Sequence, residues 1–135
     1  MNDKTFNAFN QDEKSIACEK ILEDVRGRMM EDIVLLETVR TLPKNRSAFK
    51  LILSRNEFDM VIYTSGENTC EIYEIKHSLE IVPRQYHVLE DADQCAMIEK
   101  QYGPMIKKSV IYRGKSCVLE NGIIYQNVEE YLKAL

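Results

Sequence analysis

The sequence contains no apolar run approaching the roughly 20 residues that a membrane-spanning helix needs. Its first residues, MNDKTFNAFNQDEK, lack the apolar stretch of a secretory signal. These two absences predict a cytoplasmic protein with no membrane attachment. No Cys-x-x-Cys pair occurs: the four cysteines, at 18, 70, 95 and 117, are scattered, and only two histidines, His77 and His87, are available. A tetrahedral zinc site therefore has no obvious ligand set, and the cysteines read as reduced, mostly core residues. Low-complexity tracts, internal repeats and long linkers are missing too. Positive charge is not in excess, with 18 Lys and Arg against 22 Asp and Glu for a net −4. That balance argues against coating nucleic acid by charge alone but leaves room for a local basic patch.

What is present fits one globular domain over residues 1–135, with 44% hydrophobic and 30% charged residues. Residues 1–11 read as a loose arm or a docking strand. From Asp12 to about Leu42 the apolar positions Ile21, Leu22, Val25, Met29, Ile33, Leu36 and Val39 recur at steps of three and four, which predicts a helix. Gly27 allows a kink or two abutting helices, and Pro43 ends the stretch. Strands follow at Ser47–Ser54, Glu57–Thr64 and Thr69–Lys76, and the Ser65-Gly66-Glu67-Asn68 turn makes the last two a hairpin. A second long helix is expected from Arg84 to Tyr102, entered at Pro83 and stopped by Gly103-Pro104. Then come a strand at Lys108–Tyr112, a small hairpin of Cys117–Leu119 and Ile123–Gln126 around Asn121-Gly122, and a short helix capped by Asn127. The order predicts an α/β fold, a mixed sheet flanked by helices.

Chemistry concentrates at the end of the first hairpin. Alternation puts Ile72, Glu74 and Lys76 on one face of their strand. If Thr64 faces Thr69 across the four-residue turn, Asp59 falls opposite Glu74. Carboxylates so opposed repel unless a proton, a lysine or a cation lies between them. Lys76 supplies part of that compensation, and a divalent metal would supply more. A hard cation such as Mg²⁺ takes one or two carboxylates plus water and substrate phosphate, and can activate water beside a phosphodiester. A one-residue slip would turn Asp59 away from Glu74. Upstream, Glu31 follows Gly27 by one helical turn, so its carboxylate leans over a residue with no side chain. Glu37 competes for this role without a glycine beneath it, and Glu31 is preferred.

Asp59, Glu74-Ile75-Lys76 and the preceding Gly27-x-x-x-Glu31 together resemble the PD-(D/E)xK nuclease superfamily. More narrowly, RMMEDIVLLETVR, EFDMVIY and EIYEIKHS are similar to the carboxy-terminal domain of a family of bacterial and archaeal AAA-type ATPases, over about residues 26 to 126. The resemblance implies a restriction-endonuclease-like αβββαβ core. It implies a metal cluster of Glu31, Asp59 and Glu74 holding Mg²⁺ or Mn²⁺, with Lys76 as the catalytic lysine and DNA as the substrate or ligand. It also implies an AAA-type ATPase domain as partner, in cis or in trans, since no Gly-x4-Gly-Lys-Ser/Thr phosphate loop occurs here. The alternative is an inactive interaction module of such an ATPase that keeps the nuclease fold. Phe58, not proline, precedes Asp59, and His77-Ser78 follows the lysine where small polar residues are usual.

Other polar residues carry plainer expectations. Gln85 is in reach of a phosphate at the cluster, although a solvent-facing side chain is the more ordinary reading. His77 and His87 read as surface or half-buried residues. Lys44, Arg46, Lys50 and Arg55 form one basic segment, and Lys107, Lys108, Arg113 and Lys115 another; if both flank the acids, they can track a phosphate backbone. Tyr63, Tyr73, Tyr112 and Tyr125 read as sheet-packing residues.

Overall fold

The computed structural model describes residues 11–53 and 56–135; the arm predicted at 1–11 lies almost wholly outside them. The described residues open with α1 (Gln11–Thr41), 31 residues long and continuous through Gly27. Asp12 and Glu13 in its first turn and Arg40 in its last suit the helix dipole. Only Met30, Val34 and Thr38 of α1 are buried. The apolar series that predicts the helix thus does not predict its buried face: Ile21, Leu22, Val25, Met29, Ile33, Leu36 and Val39 are all exposed.

Three antiparallel strands follow, β1 (Arg46–Ile52), β2 (Glu57–Thr64) and β3 (Thr69–Ile75). The helix expected over 84–102 is broken. A 3-10 turn at Pro83–Gln85 and the single-turn α2 (His87–Glu90) precede α3 (Ala92–Tyr102). The break has a local cause. Asp91 is extended (φ −72°, ψ 103°) so that its side chain accepts from the N–H groups of Asp93 and Gln94 as the cap of α3. Next come β4 (Met105–Tyr112), β5 (Cys117–Val118), β6 (Ile124–Asn127) and α4 (Val128–Lys133), the last capped by Asn127 as expected.

Among the described residues the strands form one six-stranded mixed sheet in the order β1-β2-β3-β4-β6-β5. β3, β4 and β6 run parallel, and α2 and α3 supply the crossover that a parallel β3–β4 pair requires. Each face of the sheet carries its own core. On one, Phe58, Val61, Cys70, Ile72 and Tyr125 pack with Leu89 of α2 and Ile98 of α3. On the other, Met60, Ile62, Tyr73, Ile75 and Ile111 pack with Met30 and Val34 of α1 and Tyr131 of α4. Thr38 Oγ1 donates to the Val34 carbonyl at 2.6 Å, which leaves the Tyr131 hydroxyl to donate to Thr38 at 2.7 Å, joining α1 to α4. Tyr73, Tyr112 and Tyr125 are buried as expected of sheet-packing residues. Two cysteines, Cys70 and Cys95, are core residues; Cys18 and Cys117 are exposed, so the expectation of mostly buried cysteines holds for half of them. No helix among the described residues is long and apolar enough to cross a membrane.

Candidate functional site

The β2–β3 ladder runs from Thr64–Thr69 to Met60–Tyr73, the register that the four-residue turn predicts. One step further on, the backbone pairing gives way to a side chain. The Asp59 carboxylate accepts the Ile75 N–H at 2.8 Å. The change traces to the other edge of β2. Phe49 pairs with Val61 and Leu51 with Phe58, so two steps along β1 span three along β2. Such a bulge re-aims side chains. Phe58 joins Val61 in one core while Met60 and Ile62 stay in the other. Asp59 is thereby swung toward the α1 side, within electrostatic reach of Glu31.

Lys76, just past the end of β3, stands between the two acids. Its Nζ lies 3.7 Å from Asp59 Oδ2 and 3.8 Å from Glu74 Oε2. Glu74 is 3% exposed and Asp59 retains 10% of its side-chain surface, so both carboxyls are largely out of water. Burial pushes the Glu74 carboxyl strongly upward; a hydrogen bond to Asp59 and the charge of Asp59 add to this, and Lys76 opposes it. Burial and the neighbouring Asp59 charge thus both favour the protonated form of Glu74.

Glu31 sits on α1 above this pair, and burial raises its carboxyl first, with the charge of Asp59 next. Its Oε2 is 3.9 Å from Lys50 Nζ, which in turn binds Glu57 Oε1 at 2.6 Å. Glu37, the competing acid, is instead paired with Arg40 at 2.6 Å on the surface. Beside Gly27 an added β-carbon would meet nothing closer than the β-carbon of His77, at 4.0 Å, an ordinary contact. Among the described residues, no three His, Cys, Asp or Glu side chains are gathered tightly enough to hold a metal ion. Asp59 and Glu74 are together, and Glu31 is turned to Lys50. As a donor set the pair fits a hard cation, being two oxygen ligands whose mutual repulsion is relieved only by a proton and an ammonium.

Two predicted roles fall differently. Gln85 is neither solvent-facing nor free to reach a phosphate. Its Oε1 accepts from Val82 N–H at 3.0 Å and Tyr125 O–H at 2.7 Å, and its Nε2 donates to the Glu80 carbonyl at 3.1 Å. The two basic segments do not flank the acids as blocks. Arg46 is bound to Glu71, Lys107 lies 5.2 Å over the Tyr73 ring, and Arg55 is outside the described residues. Lys50 alone joins the acidic cluster. Arg113 of the second segment instead joins Arg26, Arg84 and the half-buried His77, which follows Lys76, around an open groove of about 430 Å³ that also carries Glu23 and Glu80. His87 is exposed and apart from it. Glu57, Arg26 and Arg84 gave no sequence signal, because bulge and crossover bring them in from distant segments. Comparison of the chain with protein-family models, with curated proteins and with solved structures gives no match.

Proposed function

We propose that this chain is a nuclease-like domain of the PD-(D/E)xK type, which binds or cleaves DNA with Mg²⁺ or Mn²⁺ in association with an AAA-type ATPase. One observation carries the reading: the Lys76 ammonium within 4 Å of both Asp59 and Glu74 at the end of a two-stranded ladder. The element order α1-β1-β2-β3-α3-β4 supports the restriction-endonuclease-like core. Asp59 and Glu74 would hold the ion, with Glu31 completing the cluster once it leaves Lys50. The cation supplies charge stabilisation at the phosphate and a more acidic water. Lys76 then orients the attacking water and offsets phosphate charge, and Arg26, Arg84 and Arg113 hold the flanking backbone.

A second reading, an interaction module of the ATPase without catalysis, is favoured by the completeness of the trio. With Glu74 protonated and Lys76 shared, the acids are compensated with no ion bound. Plasmid and oligonucleotide cleavage with Mg²⁺ or Mn²⁺ decides between them. Metal-dependent cleavage lost in both Asp59→Ala and Lys76→Ala supports the nuclease; cleavage that survives both substitutions defeats it. An intact, folded chain that neither cuts nor binds Mn²⁺ supports the module.

A further inference from the structure

The exposed side of α1 carries an ordered apolar seam. Leu22, Val25, Met29, Ile33 and Leu36 are between 44% and 66% exposed, and they follow one another at steps of three and four. Nine residues, about two and a half helical turns, separate Met29 from the buried Thr38. Val34, midway along the buried face, is about 140° round the helix from Met29, so the seam faces away from the sheet, with Met29 and Ile33 on the edge nearer α4. α1 is apolar on two faces, and the protein uses only one of them. None of residues 11–29 is buried. A helix that long without packing is marginal in water, and monomers seldom expose an apolar strip of this length.

The seam is also symmetric in sequence. Reflected about Met29, Leu22 exchanges with Leu36 and Val25 with Ile33, so an antiparallel second copy would set each apolar residue against another and Met29 against itself. The charges agree. Arg28 and Asp32 lie on one flank of the seam, four residues apart, and in an antiparallel two-fold pair each flank meets the same flank of its mate. Arg28 then meets Asp32 of the second copy, twice over. A parallel pair instead brings opposite flanks together at equal height and sets Arg28 against Arg26, like against like. Among the described residues none of these three side chains has an ion pair within the chain. A mainly apolar cavity of about 270 Å³ at the edge of the seam, where Met29 and Ile33 meet Val128 and Leu132 of α4 beside Arg26 and His77, offers space for side chains of the second copy.

We propose that the exposed seam of α1 is a homodimer interface in which two copies pair antiparallel about Met29. The arrangement lays the unburied amino-terminal half of each helix on the sheet-anchored half of the other. It leaves the Asp59, Glu74 and Lys76 cluster, on the opposite side of α1, open in both copies, and it stands whether or not the functional reading does.

Two measurements on the 135-residue chain test it. In sedimentation from about 1 to about 200 μM the chain should pass from monomer to dimer. Asp32→Arg should weaken that dimer roughly tenfold by opposing like charges, and Arg28→Asp added to it should restore the affinity. With Cys18→Ser and Cys117→Ser as background, mild oxidation should link Met29→Cys chains into covalent dimers, whereas Val25→Cys alone should link far less. A chain that stays monomeric throughout, including one whose seam is covered by a different protein, overturns the proposal. So does Val25→Cys linking as readily as Met29→Cys, the signature of a parallel pair. Both charge variants alter exposed residues only, so circular dichroism matching the parent keeps their result interpretable.

Discussion

Asp59 and Ile75 are joined by a bond that replaces a rung of the sheet. The carboxylate Oδ2 of Asp59 accepts the Ile75 N–H at 2.8 Å, one step past the last backbone pair of β2 and β3. A residue that makes a hydrogen bond and carries a charge can have the two roles separated. Asp59→Asn keeps an oxygen for Ile75, so urea denaturation should show a loss under about 1 kcal/mol. Asp59→Ala leaves a largely buried N–H unpaired and should cost about 1–3 kcal/mol. If the site is a nuclease, both variants should lose cleavage together despite this difference in stability. Equal stabilities would mean that the bond contributes nothing measurable.

The buried Glu74 sets a pH dependence of definite sign. Its folded-state value lies above the ordinary 4.5, chiefly because burial disfavours the charge. Below that ordinary value both folded and unfolded chains hold the proton, and its full contribution is present. As pH rises past it, the unfolded chain releases the proton while the folded chain keeps it, so stability falls. The slope from this group reaches about 1.4 kcal/mol per pH unit at most and ends only when the folded value is passed. Glu74→Gln, neutral in both states, removes this term. The melting temperature of the variant minus that of the parent should therefore climb steadily from pH 5 to pH 8. Parallel curves would mean that Glu74 is not protonated on folding.

Much of this is legible in the sequence itself. The Ser65–Asn68 turn sets the β2–β3 register, Asn127 caps α4, and Gly103-Pro104 stops α3, because each is a local choice made by a few residues. The register brings Asp59 close to Glu74 and Lys76, but the expected Asp59–Glu74 pair does not form, and a bulge sets where Asp59 points. What the sequence does not show depends on longer-range packing. The bulge opposite Lys50 changes which way Asp59 points without any glycine or proline to announce it. The break at Asp91 is a side chain outcompeting helix continuation inside an otherwise helical pattern. Periodicity also could not choose between the two apolar faces of α1, since both repeat at helical spacing and only tertiary packing selects Met30, Val34 and Thr38. The basic groove is the extreme case: Arg26, Arg84 and Arg113 come from a helix, a 3-10 turn and the end of a strand.

The turn that fixes the register is itself clamped by Gly103. With φ at 85°, this residue occupies the left-handed region, and a β-carbon there would fall 1.7 Å from the carbonyl oxygen of Asn68. Cys70 N–H donates to the Pro104 carbonyl at 3.0 Å, so the same junction ties the start of β3 to the start of β4. Gly103→Ala must move backbone rather than a flexible side chain. It should destabilise the fold by about 3 kcal/mol or more in urea denaturation. Gly66→Ala, where a β-carbon meets nothing within 4 Å, serves as the control and should change little. A loss under about 1 kcal/mol for Gly103→Ala would mean that the junction yields easily.

If the proposed site takes a divalent cation, proton and metal compete for the same pair of carboxyls. Burial and the Asp59 charge favour a proton on Glu74, and Lys76 offsets only part of this. A divalent cation held by Asp59 and Glu74 makes that proton redundant, so binding must expel it. Calorimetric titration with Mn²⁺ at pH 7, repeated in buffers of different ionisation heat, should therefore report release of about one proton per ion. Affinity should rise with pH, because less work is then needed to remove the proton. Under saturating Mn²⁺ the fall in stability with rising pH, assigned above to Glu74, should flatten or reverse, since the ion stabilises only the folded chain. Lys76→Gln sharpens the outcome: without the ammonium the pair is left with less compensation, so the proton should be held more tightly in the metal-free protein. Binding without proton release would place the ion elsewhere on the molecule, away from Asp59 and Glu74.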